Sequence, residues 1–148
     1  MNASTEAPPV IHDFPYNFTL QDLKGNVVNV ERLRGKTLFI NVWATWCGPC
    51  RIEMPSLEAL YKQADTSRVA FLMISVDEYN DREKVKKFIA DKRFTFPAYT
   101  SVSTLPTILQ VRSIPSTFIV APNGKVVMRK SGLANYNTSK VKALLQSL

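Results

Sequence analysis

The only two cysteines of this chain, Cys47 and Cys50, stand two residues apart in Trp46-Cys47-Gly48-Pro49-Cys50. They follow an apolar run and precede a helical pattern, so the fold must carry both thiols at a strand-to-helix junction. A disulfide at this spacing closes almost no chain, removes little unfolded-state entropy, and is poorly suited to stapling. A helix N-terminus, in contrast, offers unpaired N–H groups and the positive end of the helix dipole, which favour a thiolate. The thiolate is the nucleophile of disulfide exchange, so the pair reads as redox-active. Cys47, at the N-terminal edge, is expected to be the exposed attacking thiol, and Cys50, one turn in, the shielded resolving thiol. Pro49 suits the first helical turn, where its missing N–H costs nothing. Trp43 and Trp46 are expected to form an aromatic collar. Arg51 reads either as a positive charge near the thiolate or as an ordinary helix-surface arginine.

Two thiols also close off other chemistry. A structural zinc site needs about four ligands, and the single histidine, His12, lies far away in the N-terminal stretch and reads as a surface tail residue. A c-type haem attachment needs a histidine after the second cysteine, where this chain has Arg51. No metal or organic cofactor is expected. Lysine and arginine outnumber aspartate and glutamate by 19 to 12, a net charge of +7. The basic residues are dispersed: Lys84, Lys86 and Lys87 share a predicted helix with Asp81, Glu83 and Asp91. No basic block alternates with aromatics as in single-strand binders, so the charge reads as a solvated surface and no nucleic-acid partner is expected. No apolar stretch reaches the length of a membrane span. Met1 to Val10 have neither a basic n-region nor an apolar h-region. Residues 1–13 read as a flexible lead-in, and 14–148 as one domain long enough to bury a core.

Hydrophobic patterning places the motif. Phe18-Thr19-Leu20 and Val27-Val28-Asn29-Val30 read as short strands around a Lys24-Gly25-Asn26 turn. Leu33-Arg34-Gly35-Lys36 reads as a second turn. Thr37–Trp43 and Val69–Val76 are apolar on both faces, as central strands of a covered sheet are. Between them Ile52, Leu57, Leu60 and Tyr61, with Met54, recur near helical spacing. Pro55 falls within that helix and is expected to kink it without ending it. Strand, helix and strand in this order imply a right-handed parallel crossover. A helix is predicted from about Asp81 to Asp91, with Val85, Phe88 and Ile89 facing inward. Phe94 to Leu109 reads as an extended piece and a short helix. Ser116–Val120 and Lys125–Arg129 form a hairpin around Asn123-Gly124. Thr138 to Leu148 reads as an amphipathic helix.

Two further residues invite chemistry. Pro115, just before a strand, is a strand-start residue on the ordinary reading, since cis bonds are rare; a cis Ile114-Pro115 bond would imply a role. Glu53 lies three residues after Cys50, on the same helical face. It is an ordinary solvated glutamate on one reading, and on the other a carboxylate that exchanges a proton with Cys50.

Taken together, these residues resemble the thioredoxin superfamily, and within it the TlpA/ResA-type thiol-disulfide oxidoreductases. Asn41-Val42-Trp43-Ala44-Thr45-Trp46-Cys47-Gly48-Pro49-Cys50-Arg51, Glu53-Met54-Pro55, and Val111–Val120 with Asn123-Gly124 carry the likeness, as does Phe18-Thr19-Leu20…Gly25…Leu33-Arg34-Gly35-Lys36. It covers roughly residues 14 to 148. It implies a thioredoxin-like α/β fold, a central mixed sheet flanked by helices, with an N-terminal β-hairpin extension. It also implies a cis Pro115 beside the dithiol, with substrate contacts at Trp46, Gly48, Pro49, Ile114 and Pro115. Ordinary thioredoxins carry aspartate where this chain has Asn41; asparagine cannot shuttle protons, so the resemblance hands that task to Glu53. The expected activity is reduction of disulfides in protein substrates, by a monomer recharged by an upstream, membrane-bound thiol donor. Members of this branch usually face the periplasm or cell envelope. Gly48-Pro49, however, is the dipeptide of reducing thioredoxins, and many members of the branch differ there. An oxidase or isomerase of the same fold is the nearest alternative, because spacing does not set direction. A peroxidase is disfavoured, since Ile40 and Ala44 stand where peroxiredoxins carry proline and a hydroxyl residue; a non-enzymatic peptide-binding module is disfavoured by the intact cysteines.

Overall fold

Seven strands and three α-helices organise residues 13–148, the part of the chain that the computed structural model describes. The strands are β1 (Thr19–Asp22), β2 (Val27–Asn29), β3 (Thr37–Trp43), β4 (Val69–Ser75), β5 (Ala98–Ser101), β6 (Ser116–Val120) and β7 (Val126–Ser131). The helices are α1 (Gly48–Gln63), α2 (Arg82–Lys92) and α3 (Ser139–Ser147). One mixed sheet holds all seven strands in the order β2-β1-β5-β4-β3-β6-β7. The crossover through α1 makes β3 and β4 parallel, as the strand–helix–strand pattern requires. β6 returns antiparallel to β3, and β7 pairs with β6. The predicted N-terminal hairpin adds β1 to β5, leaving β2 at the sheet edge. The predicted lead-in and His12 fall in residues 1–12, outside the described residues, while Asp13 bridges to Lys125.

β3 is buried at every position because side chains leave both faces of a sheet and both are covered here. One face carries Phe39 and Trp43 of β3, packed in a cluster with Met54, Leu57 and Leu60 of α1, Val85 of α2 and Val141 of α3. The other carries Leu38, Ile40 and Val42 beneath Phe14, Tyr16, Phe18 and Leu109. Helices therefore cover one face, and the N-terminal segment with the stretch before β6 covers the other. The β6–β7 turn closes at Gly124, whose φ of +88° is one that only glycine adopts freely.

Three sequence expectations change. Trp43 is no collar residue: it is fully buried, its ring 5.6 Å from that of Phe88. Ile52 leaves the apolar stripe and is 68% exposed. The buried face of α1 is instead Cys50, Glu53, Met54, Leu57, Glu58 and Leu60, rotated away from Ile52 and including two carboxylates. Val30–Leu33, read as strand end and turn, forms a 3₁₀ turn capped by the Asn29 side chain. α1 itself runs unbroken through Pro55.

Candidate active site

β3 ends at Trp43 and α1 begins at Gly48, so residues 44–47 must turn the chain in one short loop. Asp77, just beyond β4, holds that loop. Its carboxylate accepts from the Thr45 N–H at 2.9 Å and the Thr45 hydroxyl at 2.5 Å, and also from the Ser75 hydroxyl at 2.6 Å. The Val76 N–H adds a bond to the Trp43 carbonyl at 2.8 Å. Asp77 escaped the sequence reading; its only signal was an acidic residue closing a buried strand.

Cys47 is the N-cap of α1, in extended conformation, and its Sγ accepts the Cys50 N–H at 3.2 Å. An N-cap acceptor satisfies a helix donor that otherwise has no partner. No acidic residue occupies the first turn of α1, so nothing there opposes negative charge on sulfur. Cys47 and Cys50 form a disulfide, with Cα atoms 5.3 Å apart. Cys50 is 1% exposed, shielded as expected, but Cys47 is also buried at 6%, so in the disulfide form the expected exposed thiol has only a narrow opening. Part of the cover comes from the next loop, where the Ile114 carbonyl oxygen lies 3.8 Å from Cys47 Sγ. The Ile114–Pro115 bond is cis, the geometry that the resemblance implied. Pro115 is buried, and its carbonyl accepts the Gly132 N–H at 2.8 Å. Trp46, Gly48 and Pro49 are exposed around the disulfide, and Ile114 is half-buried. A groove of about 580 Å³ opens beside Ile114, lined in part by Val76, Glu78, Leu105 and Val111. Arg51 is exposed, with its guanidinium 5.6 Å from the Phe88 ring centre.

Glu53 is the departure that matters most for chemistry. The ordinary reading of a solvated helix glutamate is wrong: only 2% of the residue is exposed. Its Oε1 accepts from Asn41 Nδ2 at 3.0 Å and its Oε2 from the Ala134 N–H at 3.0 Å. Burial pushes the carboxyl up to about 7, against the two hydrogen bonds that favour its charged form, Ala134 first and then Asn41. A carboxyl poised there exchanges protons readily near neutrality. Tyr136 shares this buried pocket; desolvation pushes its phenol up, with the Thr117 hydroxyl opposing and the Glu53 carboxylate adding to the rise. Among the described residues, no group of three or more histidine, cysteine, aspartate or glutamate side chains is placed to hold a metal ion.

A dithiol capping the helix after a central strand, with a cis-proline loop against it, defines a thioredoxin-like protein. The chain belongs to the AhpC/TSA family, whose model matches residues 11–129. Over 117 residues it is 32% identical to the thiol-disulfide oxidoreductase ResA of Bacillus cereus (strain ZK / E33L), covering 78% of this chain and 66% of that protein. The chain thus spans just under two thirds of that curated relative's length. A thiol:disulfide interchange protein of the thioredoxin family from Chlorobium tepidum TLS superposes with a TM-score of 0.72 at 23% identity, covering 94% of this chain and 99% of that one. StoA from Bacillus subtilis superposes with a TM-score of 0.69 at 21% identity, covering 95% and 98%. These two structures share the fold.

Proposed function

We propose that this protein reduces disulfides of protein substrates through a Cys47–Cys50 dithiol cycle. The observation that carries this reading is the pairing of an N-cap sulfur on α1 with a buried, near-neutral carboxyl one turn further along the same helix. In the reduced protein the Cys47 thiolate attacks a substrate disulfide; a Cys47–substrate bond forms and one substrate sulfur leaves as thiolate. Cys50 then gives its proton to the Glu53 carboxylate and attacks Cys47 Sγ. The mixed disulfide breaks, the second substrate sulfur leaves, and the Cys47–Cys50 bond is restored. Two electrons have passed to the substrate, and an upstream thiol donor must return them. Trp46, Gly48, Pro49 and the Ile114 backbone beside Pro115 form the substrate contact, and the groove next to Ile114 has room for the flanking polypeptide.

The relative named thiol-disulfide oxidoreductase ResA supports dithiol–disulfide exchange of this kind; a cell-envelope location, a membrane-bound donor and a monomeric mode of action belong to the same proposal. No helix among the described residues is long and apolar enough to cross a membrane. A peroxidase reading is not favoured, because Ile40 and Ala44 are buried apolar residues where peroxide chemistry needs proline and a hydroxyl.

The test is the reduction potential of the Cys47–Cys50 couple, by equilibration with a thiol redox buffer. A value of about −250 mV or lower is expected, in the range of reducing thioredoxins. A value near about −120 to −180 mV, the range of strong oxidants and isomerases, would reverse the direction proposed.

A further inference from the structure

Asn41 sits at the centre of β3, 1% exposed, in register with Thr117 of β6. Both side chains point to the sheet face that α1 covers. A lone amide buried in an apolar layer is costly unless its hydrogens are used, and here both are. One goes to Glu53 Oε1 at 3.0 Å and the other to Thr117 Oγ1 at 2.9 Å. That double use determines the orientation of the amide. Turned over, its oxygen would face a carboxylate oxygen and the Thr117 hydroxyl would lose its donor.

We propose that Asn41, anchored by Thr117, is a positioning residue for Glu53, presenting a fixed donor that keeps a buried carboxylate available as the proton acceptor for Cys50. Its meaning for catalysis rests on the role proposed for Glu53. The opposing influences are visible around the carboxyl. Burial disfavours the charged form, while the Ala134 N–H and the Asn41 amide favour it. The other groups facing this pocket are Cys50 on α1 and the Tyr136 phenol before α3, with Lys130 standing opposite Thr117 on β7. In the disulfide form neither cysteine titrates, so Glu53 is read without interference from the thiols.

The experiment follows the Glu53 carboxyl directly, in the oxidised protein labelled with ¹³C at glutamate side-chain carboxyls, with Glu53→Gln identifying the signal by its loss. Asn41→Leu keeps the volume and removes the donor; Thr117→Val keeps the shape and removes the anchor. The expected result is a titration midpoint about one pH unit higher in Asn41→Leu, the size of one lost hydrogen bond to a charged group. A smaller upward shift is expected in Thr117→Val. A merely structural role would lower stability and leave the midpoint in place. An unchanged or lowered midpoint in folded Asn41→Leu overturns the proposal, and if that variant does not fold, an unmoved midpoint in Thr117→Val does so. The pH profile of mixed-disulfide resolution, measured in parallel, separates the two ideas. A carboxyl midpoint that moves while the profile stays supports Asn41 as the positioning residue and removes Glu53 as the proton acceptor.

Discussion

Two glutamates of the same helix, Glu53 and Glu58, are both buried, yet their surroundings differ in kind. Glu58 accepts from the Thr95 N–H at 2.8 Å, the Thr95 hydroxyl at 2.7 Å and the Phe96 N–H at 3.1 Å, with Lys62 Nζ at 3.7 Å. Those donors lie in the stretch between α2 and β5, so the carboxylate ties α1 to the next loop. Glu53 has two donors, one a side chain, and lies one turn from Cys50. A buried carboxylate with many fixed donors is a structural joint. One with few, set beside a reactive thiol, is left close to the balance between its charged and neutral forms. Burial alone does not separate these two carboxylates; on the role proposed for Glu53, the count and origin of their donors do.

Removing each carboxylate should separate the two roles. Glu58→Ala leaves the buried Phe96 N–H without a partner and removes the acceptor of the Thr95 N–H and hydroxyl, and is expected to cost about 3 kcal/mol in urea unfolding. Its rate of exchange with a protein disulfide should match the parent protein; a comparable kinetic loss would erase the distinction. Glu53 should instead give stability a pH dependence. Its carboxyl is raised from the ordinary 4.5 to about 7, so between those values the folded chain keeps a proton that the unfolded chain releases. That contribution is complete below pH 4.5 and is lost as pH rises towards 7, by about 3 kcal/mol in all. The difference in stability between Glu53→Gln and the parent should therefore move steadily in the variant's favour across this window, and a flat difference would mean that the carboxyl is not raised. At pH 7, Glu53→Gln should slow resolution of the mixed disulfide by about 100-fold, the scale of general acid–base catalysis, with little change in the initial attack. Equal effects on both steps in stopped-flow would remove the assigned role.

The disulfide motif and its place in the fold were legible because they depend on local order: a doubly apolar strand, a short loop, a proline in the first helical turn. The N-terminal hairpin, β3, β4 and the β6–β7 hairpin around Asn123-Gly124 were legible for the same reason, whereas β5 was legible only as an extended piece within Phe94–Leu109. Glu53 was not, because a glutamate three residues after a cysteine has the same spacing whether it faces water or the sheet. What buries it comes from far along the chain, with Ala134 81 positions away and Thr117, the anchor of Asn41, 76 positions from that residue. Ile52 misled for a related reason. Helical spacing admits it to one stripe with Leu57 and Leu60, and the choice between that stripe and the one through Cys50, Glu53 and Leu57 is made by the sheet. Asp77 was invisible as a loop clamp because its partners, Thr45 and Ser75, come together only when β3 and β4 pair.

The smallest effect sharpens the comparison from the other side. Lys62 is four residues after Glu58 and its Nζ lies 3.7 Å from Oε2, which invites the view that an ion pair holds Glu58 in place. The Lys62 side chain is 62% exposed, however, whereas that of Glu58 is 11% exposed. An ammonium held largely by water loses little when it is removed, and i,i+4 pairs of this kind are worth about 0.3–0.5 kcal/mol. Lys62→Ala should accordingly lower stability by no more than about 0.5 kcal/mol, and by less still as salt is raised. A loss approaching that of Glu58→Ala would mean that charge, and not the Thr95 and Phe96 donors, holds the carboxylate. The difference between the two glutamates would then lie in the neighbouring cation, which Glu58 has among its contacts and Glu53 does not.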